Sequence, residues 1–169
     1  MRKAALCPFA LSSSFAFAGT NMVMTLASGK SIELNLDEKG APKTCARIKE
    51  LVKQKFFDGI RFHRVEGWVV QWGAPQSKKG VDAPGVGNGG SGKSIPFEAG
   101  KLSFAAGVLG MASTGAKVGG DSQMFIVTQP SPNLDGSYCA FGKVVKGMDV
   151  LKTIKRGDVI KSVRLKTVK

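Results

Sequence analysis

The chain has 169 residues, of which 43% are hydrophobic and 22% are charged, and its mean hydropathy is close to zero. This apolar content is too high for a disordered chain, and no apolar stretch is long enough to span a bilayer. The formal net charge of +13 would suit nucleic acid or an anionic membrane, but the lysines are scattered over the chain without a dense basic run. We therefore expect a solvated basic surface and no nucleic-acid partner.

The N-terminal residues 1–18 differ in composition from the rest of the chain. Arg2 and Lys3 precede an uncharged stretch that ends in Ala16-Phe17-Ala18, a small-x-small pattern typical of signal-peptidase cleavage. We therefore expect residues 1–18 to be a signal peptide and residues 19–169 to form one domain, periplasmic or secreted. The alternative is an uncleaved extension on a cytoplasmic protein, since Pro8 and a run of serines interrupt the apolar stretch.

The first elements after residue 18 are a predicted hairpin and a predicted helix. Residues 22–26 and 31–36 predict two strands around a turn at Ser28-Gly29, and the second strand alternates apolar with polar residues. Pro42 favours the first turn of a helix. The helical spacing predicts a buried face of Cys45, Ile48 and Val52. The residues expected in solvent are Lys43, Arg47, Lys49 and Lys53.

Short strands dominate the remainder of the chain. They are predicted over residues 61–65, 69–72, 108–112, 123–128, 139–145 and 160–168. A brief helix is expected near residues 148–154, and residues 73–101, rich in Gly, Pro, Ser and Lys, predict one long loop. Many short strands with two helices and no internal repeat favour a single β-barrel or sandwich.

One segment of the long loop matches a nucleotide-binding motif. Residues 87–94 fit the G-x-x-x-x-G-K-[ST] phosphate loop, and Gly85 extends the match to G-x-G-x-x-G. A functional phosphate loop follows a buried strand and opens a helix whose N–H groups meet the phosphates. Here Asp82-Ala83-Pro84 precedes the loop, while Pro96 and Gly100 leave no room for a helix after it. We therefore interpret the match as coincidental, with an NTPase kept as a third alternative.

The metal-ligating residue types are sparse. His63 is the only histidine, and no Cys/His cluster exists, so neither a metal site nor a cofactor is expected. Cys45 and Cys139 remain after residue 18. They could pair in an oxidising compartment, although buried free thiols are the preferred interpretation.

A series of short motifs is similar to one known family. In chain order they are Ala41-Pro42-Lys43-Thr44, Phe62-His63-Arg64, Gln71 with Gly73, Gly110-Met111-Ala112, Ser122-Gln123-Met124-Phe125-Ile126, Leu134-Asp135-Gly136 and Phe141-Gly142-Lys143-Val144. With these motifs the chain resembles a cyclophilin-type peptidyl-prolyl cis/trans isomerase over residues 22–168. The resemblance implies a mainly β fold, a closed eight-stranded antiparallel barrel capped by two α-helices, with the site on its outer wall.

The resemblance also implies a site that binds proline-containing polypeptides. The residues implied to line the proline pocket are Phe62, Val69, Phe125 and Leu134. Those implied beside the pocket and along the groove are His63, Trp68, Gln71, Ala112, Ser113, Thr114, Gln123 and Tyr138. The apolar members could instead be plain core, since about half the apolar positions of a barrel point inward. His63 lacks a partner nucleophile and is expected to be structural.

Arg64 is the implied catalytic residue. Rotation about a peptide bond has a barrier of about 18–20 kcal/mol, and X-Pro bonds exchange slowly between two populated isomers. A fixed donor beside the prolyl nitrogen stabilises the lone pair that is released from resonance in the twisted state. Arginine stays protonated and presents a rigid fork of donors, so it suits this role.

The chain departs from the family pattern in three places. The corner Val65-Glu66-Gly67-Trp68 is one residue shorter than usual, with Trp68 and Val69 in place of phenylalanine and methionine. One extra residue lies between Gly115 and Gln123. Asn133 stands where many members carry a tryptophan that marks tight cyclosporin binding, so we expect weak cyclosporin binding.

Two functions from different classes remain in view. The first is a monomeric isomerase that assists protein folding. The second is a proline-peptide binding module or chaperone with little turnover, which the shortened corner at Glu66-Gly67 would favour.

Overall fold

The sheet of this protein begins with the predicted hairpin. In the computed structural model, which describes residues 19–168, strand β1 (Gly19–Leu26) pairs with strand β2 (Ser31–Leu36) in a register that sets Met22 opposite Leu34 and Met24 opposite Ile32. All four side chains are fully buried, while Glu33, between them on β2, lies on the other face. This period-two alternation confirms the hairpin and its buried face. The predicted signal peptide lies outside the described residues.

Eight antiparallel strands form one curled sheet in the order β3-β4-β6-β5-β7-β2-β1-β8. The elements are β1 Gly19–Leu26, β2 Ser31–Leu36, α1 Pro42–Lys53, β3 Arg64–Glu66, β4 Val69–Trp72, β5 Val108–Met111, β6 Met124–Val127, β7 Ala140–Lys146, α2 Met148–Leu151 and β8 Ile160–Val168. Short 3₁₀ helices occupy Pro75–Lys79 and Pro132–Leu134. Among the described residues no helix combines the length and apolar character needed to cross a membrane.

The expectation of a closed barrel is wrong, because the sheet is a curled half-barrel. Its end strands β3 and β8 share no ladder in the described residues, although an isolated bridge joins Arg61, which precedes β3, to Val159, which precedes β8. Strand β3 has only three residues, and all of them pair with β4. A few backbone bonds, such as Phe62 N–H to the Asp158 carbonyl at 3.1 Å, connect the two ends. The strand 61–65 is accordingly shorter than predicted.

Helix α1 starts at Pro42 as predicted. Two of its unpaired N–H groups, those of Lys43 and Thr44, donate to the Glu98 carboxylate at 3.1 and 2.8 Å. The predicted face of Cys45, Ile48 and Val52 is buried. Arg47, however, was expected in solvent, and its side chain is only 5% exposed. It is buried because its guanidinium finds partners in two loops that cover the helix.

Two apolar clusters lie on opposite faces of the sheet. The larger one fills the concave interior together with α1, and it includes Phe62, Trp72 and Phe141. The smaller one lies on the other face of β4 to β7 and centres on Phe125. Successive residues of a strand therefore belong to different clusters: Val70 lies in the larger cluster and Val69 in the smaller one. The two remaining cysteines are buried free thiols, and burial raises the pKa of Cys45 to about 12.

Candidate active site

A pocket of about 190 Å³ opens over the smaller apolar cluster, and we call it the main pocket. Strands β3, β4 and β6 contribute to its surface, as do the residues that follow β5, the second 3₁₀ helix and the turn after that helix. Its lining consists of Arg64, Trp68, Val69, Gln71, Ala112, Ser113, Phe125, Leu134 and Tyr138. The pocket thus combines a mainly apolar surface with one guanidinium and one amide.

Aromatic rings form the floor of the main pocket. Phe125 stacks on Phe104 with a centroid distance of 5.5 Å, and Tyr138 meets Phe125 edge to face at 6.0 Å. Gly110 lies opposite Phe125 in the β5–β6 register. A Cβ atom there would come within 2.4 Å of the Phe125 ring, so only glycine lets the ring lie over β5. The floor is therefore a rigid apolar surface.

Arg64 lies at the rim of the main pocket and is held by a carboxylate. Its Nε and Nη2 donate to Glu66 at 2.7 and 3.0 Å, and its guanidinium lies 5.2 Å from the Trp68 ring centroid. Nη1 approaches Gln71 Oε1 at 3.5 Å. The hydrogen bonds with Glu66 raise the pKa of Arg64 and lower that of Glu66, so both groups are charged at neutral pH.

A chain of amides continues from Arg64 to the glycine-rich loop. Gln71 Nε2 donates to Gln123 Oε1 at 2.9 Å, and Gln123 Nε2 donates to the carbonyls of Gly87 and Gly89 at 2.7 and 2.8 Å. Each amide is therefore fixed in one orientation. The loop that resembles a phosphate loop presents carbonyl oxygens here and is followed by no helix, so it lacks the geometry that binds phosphate.

A buried ionic cluster anchors the glycine-rich loop to α1. Arg47 donates to Glu50 at 2.8 Å and to the Ser91 hydroxyl, and its Nη2 lies 3.5 Å from Asp121 Oδ1. Asp121 also accepts from Ser91 and from the Gly92 N–H. Asp121 of this cluster and the glycine-rich loop line a neighbouring side pocket of about 420 Å³.

His63 neighbours Arg64 in sequence but does not line the main pocket. Its ring nitrogens are buried and make no well-formed hydrogen bond with the described residues. Burial lowers the pKa of His63, against a weaker opposing effect of the nearby Gln123 side chain. The imidazole is therefore neutral at neutral pH, which fits a structural residue better than an acid–base catalyst.

Most of the site residues expected from the sequence lie together. The nine residues that line the main pocket were all among them, and Thr114 and Gln123 line the side pocket. Phe62 does not belong to either pocket. Its side chain is fully buried in the larger cluster on the concave face of the sheet. There its ring centroid lies 5.5 Å from that of Trp72.

Three residues of the site were missed by sequence reasoning. Glu66 follows Arg64 by two positions on one strand, which places both on one face, so alternation could have revealed it. Phe104 and Asp121 come from loops without regular structure, and no sequence signal identifies their contacts. Within residues 19–168, no group of three His, Cys, Asp or Glu side chains is placed to hold a metal ion.

Comparison with known families and proteins agrees with this architecture. The model of the family described as cyclophilin type peptidyl-prolyl cis-trans isomerase/CLD matches residues 21–169. Peptidyl-prolyl cis-trans isomerase B of Bacillus subtilis (strain 168) is 41% identical over 143 residues, which cover 83% of this chain and 94% of that protein. A peptidyl-prolyl cis-trans isomerase of Synechococcus elongatus is 37% identical, covering 81% of this chain and 90% of the relative.

Solved structures show the same fold. A cyclophilin-type isomerase of Cryptosporidium parvum aligns with a TM-score of 0.76 at 25% identity, covering 89% of this chain and 99% of its own. A second structure of that protein, obtained in the presence of the dipeptide Ala-Pro, aligns with a TM-score of 0.72 and covers 88% of this chain and 98% of its own.

Proposed function

Since this chain belongs to the cyclophilin-type peptidyl-prolyl cis-trans isomerases, a family of enzymes, we propose that Arg64 is its catalytic donor. In this proposal the main pocket binds the proline of an X-Pro bond, and Arg64 donates a hydrogen bond to the prolyl nitrogen. The observation that carries it is the position of the guanidinium at the rim of an apolar pocket with an aromatic floor.

The apolar floor would bind the pyrrolidine ring. Val69, Phe125 and Leu134 offer the ring a surface without hydrogen-bonding groups, which favours proline over polar residues. Binding the ring fixes one side of the peptide bond, so that rotation moves only the preceding carbonyl. The floor thereby holds the prolyl nitrogen in one place relative to the rim.

The rim would stabilise the twisted state of the bond. In that state the nitrogen lone pair is no longer in resonance with the carbonyl and becomes a hydrogen-bond acceptor. A guanidinium N–H aimed at this atom interacts more strongly with the twisted state than with either planar isomer, which lowers the barrier. Gln71 and Gln123 would bond the substrate backbone and keep Arg64 in place. No proton is transferred, so the neutral His63 is not needed for the reaction.

Substitution of Arg64 tests this proposal. In a protease-coupled assay on an Ala-Pro peptide, we expect Arg64→Ala to lower kcat/KM about a hundredfold or more, since one lost donor to a transition state costs this much. Arg164→Ala is the control. It removes an arginine on β8 that forms an ion pair with Asp58, and it should retain wild-type turnover. Wild-type turnover in Arg64→Ala would refute the proposed role.

One observation favours the binding module as a second candidate. Two of the three nitrogens of the Arg64 guanidinium already donate to Glu66, which leaves fewer donors for a substrate. The same assay separates the candidates, since a binding module would bind the Ala-Pro peptide while wild-type protein shows no turnover. In either case the ligand is a proline-containing polypeptide, and assistance to protein folding is our proposal for its role.

For the compartment, we propose export to the periplasm or beyond the cell. The proposal rests on the basic start and the Ala16-Phe17-Ala18 pattern. N-terminal sequencing of the mature protein tests it: a start at Gly19 supports export, whereas an intact residue 1–18 segment supports the cytoplasmic alternative.

For cyclosporin and assembly, we propose weak binding and a monomer. Asn133 lies in the second 3₁₀ helix next to Leu134, which lines the main pocket, so a small polar side chain stands in sequence beside the pocket where a tryptophan would add apolar area. Asn133→Trp should therefore tighten cyclosporin binding about tenfold in a calorimetric titration. Equal affinity in the two proteins would contradict this account of the pocket wall.

A further inference from the structure

The tight corner between β3 and β4 places three side chains in one contact group. In the β3–β4 ladder, Arg64 lies opposite Gln71 and Glu66 lies opposite Val69, so the turn consists of Gly67 and Trp68 alone. Arg64 and Glu66 are two residues apart on β3 and therefore share a face. The turn then brings Trp68 back to the same carboxylate.

The Glu66 carboxylate is bonded by both of its neighbours. Oε1 accepts from Arg64 Nε at 2.7 Å, and Oε2 accepts from Arg64 Nη2 and Trp68 Nε1 at 3.0 Å each. Arg64 and Trp68 both line the main pocket, whereas Glu66 does not. One carboxylate outside the pocket thus orients a donor and an aromatic wall inside it.

This pairing leaves one end of the guanidinium for the pocket. With Nε and Nη2 directed to Glu66, Nη1 is the nitrogen that faces Gln71, at 3.5 Å. Because the fork of a guanidinium is planar and rigid, fixing two of its nitrogens fixes the direction of the third. The Arg64 side chain is 41% exposed, so without this pair solvent would let it sample many rotamers.

We propose that Glu66, itself bonded by Trp68 Nε1, is a positioning residue for turnover, which holds Arg64 so that the Nη1 end of the guanidinium faces the prolyl nitrogen. The inference rests on the proposed catalytic role of Arg64 and adds to it. Since the pair is exposed, water screens its charges, and the guanidinium remains an effective donor while its orientation is fixed. In the shortened corner, Glu66 thereby supplies a restraint from within the turn itself.

The main competing outcome is a rise in turnover when Glu66 is removed. If Glu66 instead held Arg64 away from the substrate, its removal would raise turnover. A purely structural carboxylate would change the melting temperature and leave kcat unchanged for the folded protein.

The experiment compares Glu66→Ala, Glu66→Asp and the control Glu38→Ala in the full chain. Glu38 forms a similar surface pair with Lys49 at 2.8 Å and lines neither the main pocket nor the side pocket. We measure kcat and KM on an Ala-Pro peptide, the melting temperature, and the dependence on sodium chloride. Glu66→Ala should lose roughly threefold to tenfold in kcat, which is the cost of ordering one long side chain during the reaction.

The other measurements give the pattern that only positioning produces. Glu66→Asp should recover part of kcat, because its shorter side chain reaches one nitrogen of the fork. The melting temperature should stay at the wild-type value, and 1 M salt should lower kcat in wild type more than in Glu66→Ala. In an Arg64→Ala background, Glu66→Ala should have no further effect on kcat.

The outcomes distinguish this inference from the proposed function. Unchanged or higher kcat in Glu66→Ala, with Arg64→Ala impaired, overturns the positioning role alone. Unimpaired Arg64→Ala overturns the catalytic role of Arg64, and the positioning role with it. A loss in Glu66→Ala that persists in the Arg64→Ala background also overturns the inference, since the effect would then not act through Arg64.

Discussion

Arg47 and Arg64 make similar bonds in opposite surroundings. Arg47 is 5% exposed and joins α1 to Ser91 and Asp121, residues far away in sequence. Arg64 is 41% exposed and pairs with Glu66, two positions along the same strand. Removing a buried arginine that links distant segments leaves its partner uncompensated and destabilises the fold, whereas an exposed arginine paired locally adds little stability and remains accessible to a ligand. We therefore propose that Arg47 serves the fold and that Arg64 serves turnover.

The largest expected effect is a loss of stability on substitution of Arg47. Arg47→Met leaves the half-buried Asp121 without its positive partner, and breaking such a pair costs about 3–5 kcal/mol. We expect urea unfolding to show a loss of roughly 2–4 kcal/mol, since Ser91 and Gly92 still bond Asp121. Turnover of the protein that remains folded should fall far less than in Arg64→Ala.

Arg164→Met is the matched control for this change, because Arg164 pairs with Asp58 at the surface. It should unfold close to the wild-type urea concentration. An Arg47→Met protein as stable as this control would break the comparison, since burial would then not decide the role of the arginine.

The second prediction concerns the floor below Arg64. In Gly110→Ala the new Cβ would lie 2.4 Å from the Phe125 ring and 2.8 Å from the Phe104 ring, so the rings must move toward the pocket. We expect a loss of about 1–3 kcal/mol in stability and a rise in KM of roughly tenfold, measured by urea unfolding and by the peptide assay. Gly115→Ala, where the nearest atom is 3.7 Å away, should alter neither quantity, and an unchanged KM in Gly110→Ala would contradict the proposed floor.

The smallest effect is expected at His63, next to Arg64 in sequence. Burial lowers its pKa in the folded state below the ordinary value of 6.5, so the unfolded chain binds the proton more readily. The contribution of His63 to stability is therefore fully present above about pH 6.5 and is lost as the pH falls through the folded-state pKa.

His63→Gln removes this titration. Its melting temperature should fall less than that of wild type between pH 7 and pH 5, a shift of a few degrees at most for a half-buried group. Turnover at pH 7 should stay near the wild-type value. A loss of turnover comparable to that in Arg64→Ala would show that the imidazole takes part in the reaction.

The sequence predicted the strands and the pocket well where period-two alternation and family motifs apply. Val69, Gln71 and Phe125 line one pocket, because strand register leaves each side chain only two faces, and Leu134 of the second 3₁₀ helix joins them there. Phe62 shows the limit of this reasoning, since the resemblance implied a place in the proline pocket, whereas the side chain is fully buried in the larger cluster.

Other features depend on contacts that no local pattern encodes. Arg47 has the helical spacing of a surface residue and is buried only because Ser91 and Asp121 arrive from distant loops. Closure of the sheet depends likewise on whether β3 and β8, which come from distant parts of the sequence, pair with each other, and no ladder joins them in residues 19–168.

We propose that Arg64 accelerates rotation in a peptide that is already bound. Two-dimensional exchange NMR of an Ala-Pro peptide at saturating protein measures this rate directly, since peptide chemical shifts report binding and cross-peaks report isomerisation. For Arg64→Ala the account predicts retained binding shifts with bound-state exchange slowed about a hundredfold. Exchange at the wild-type rate in the bound Arg64→Ala complex would contradict it.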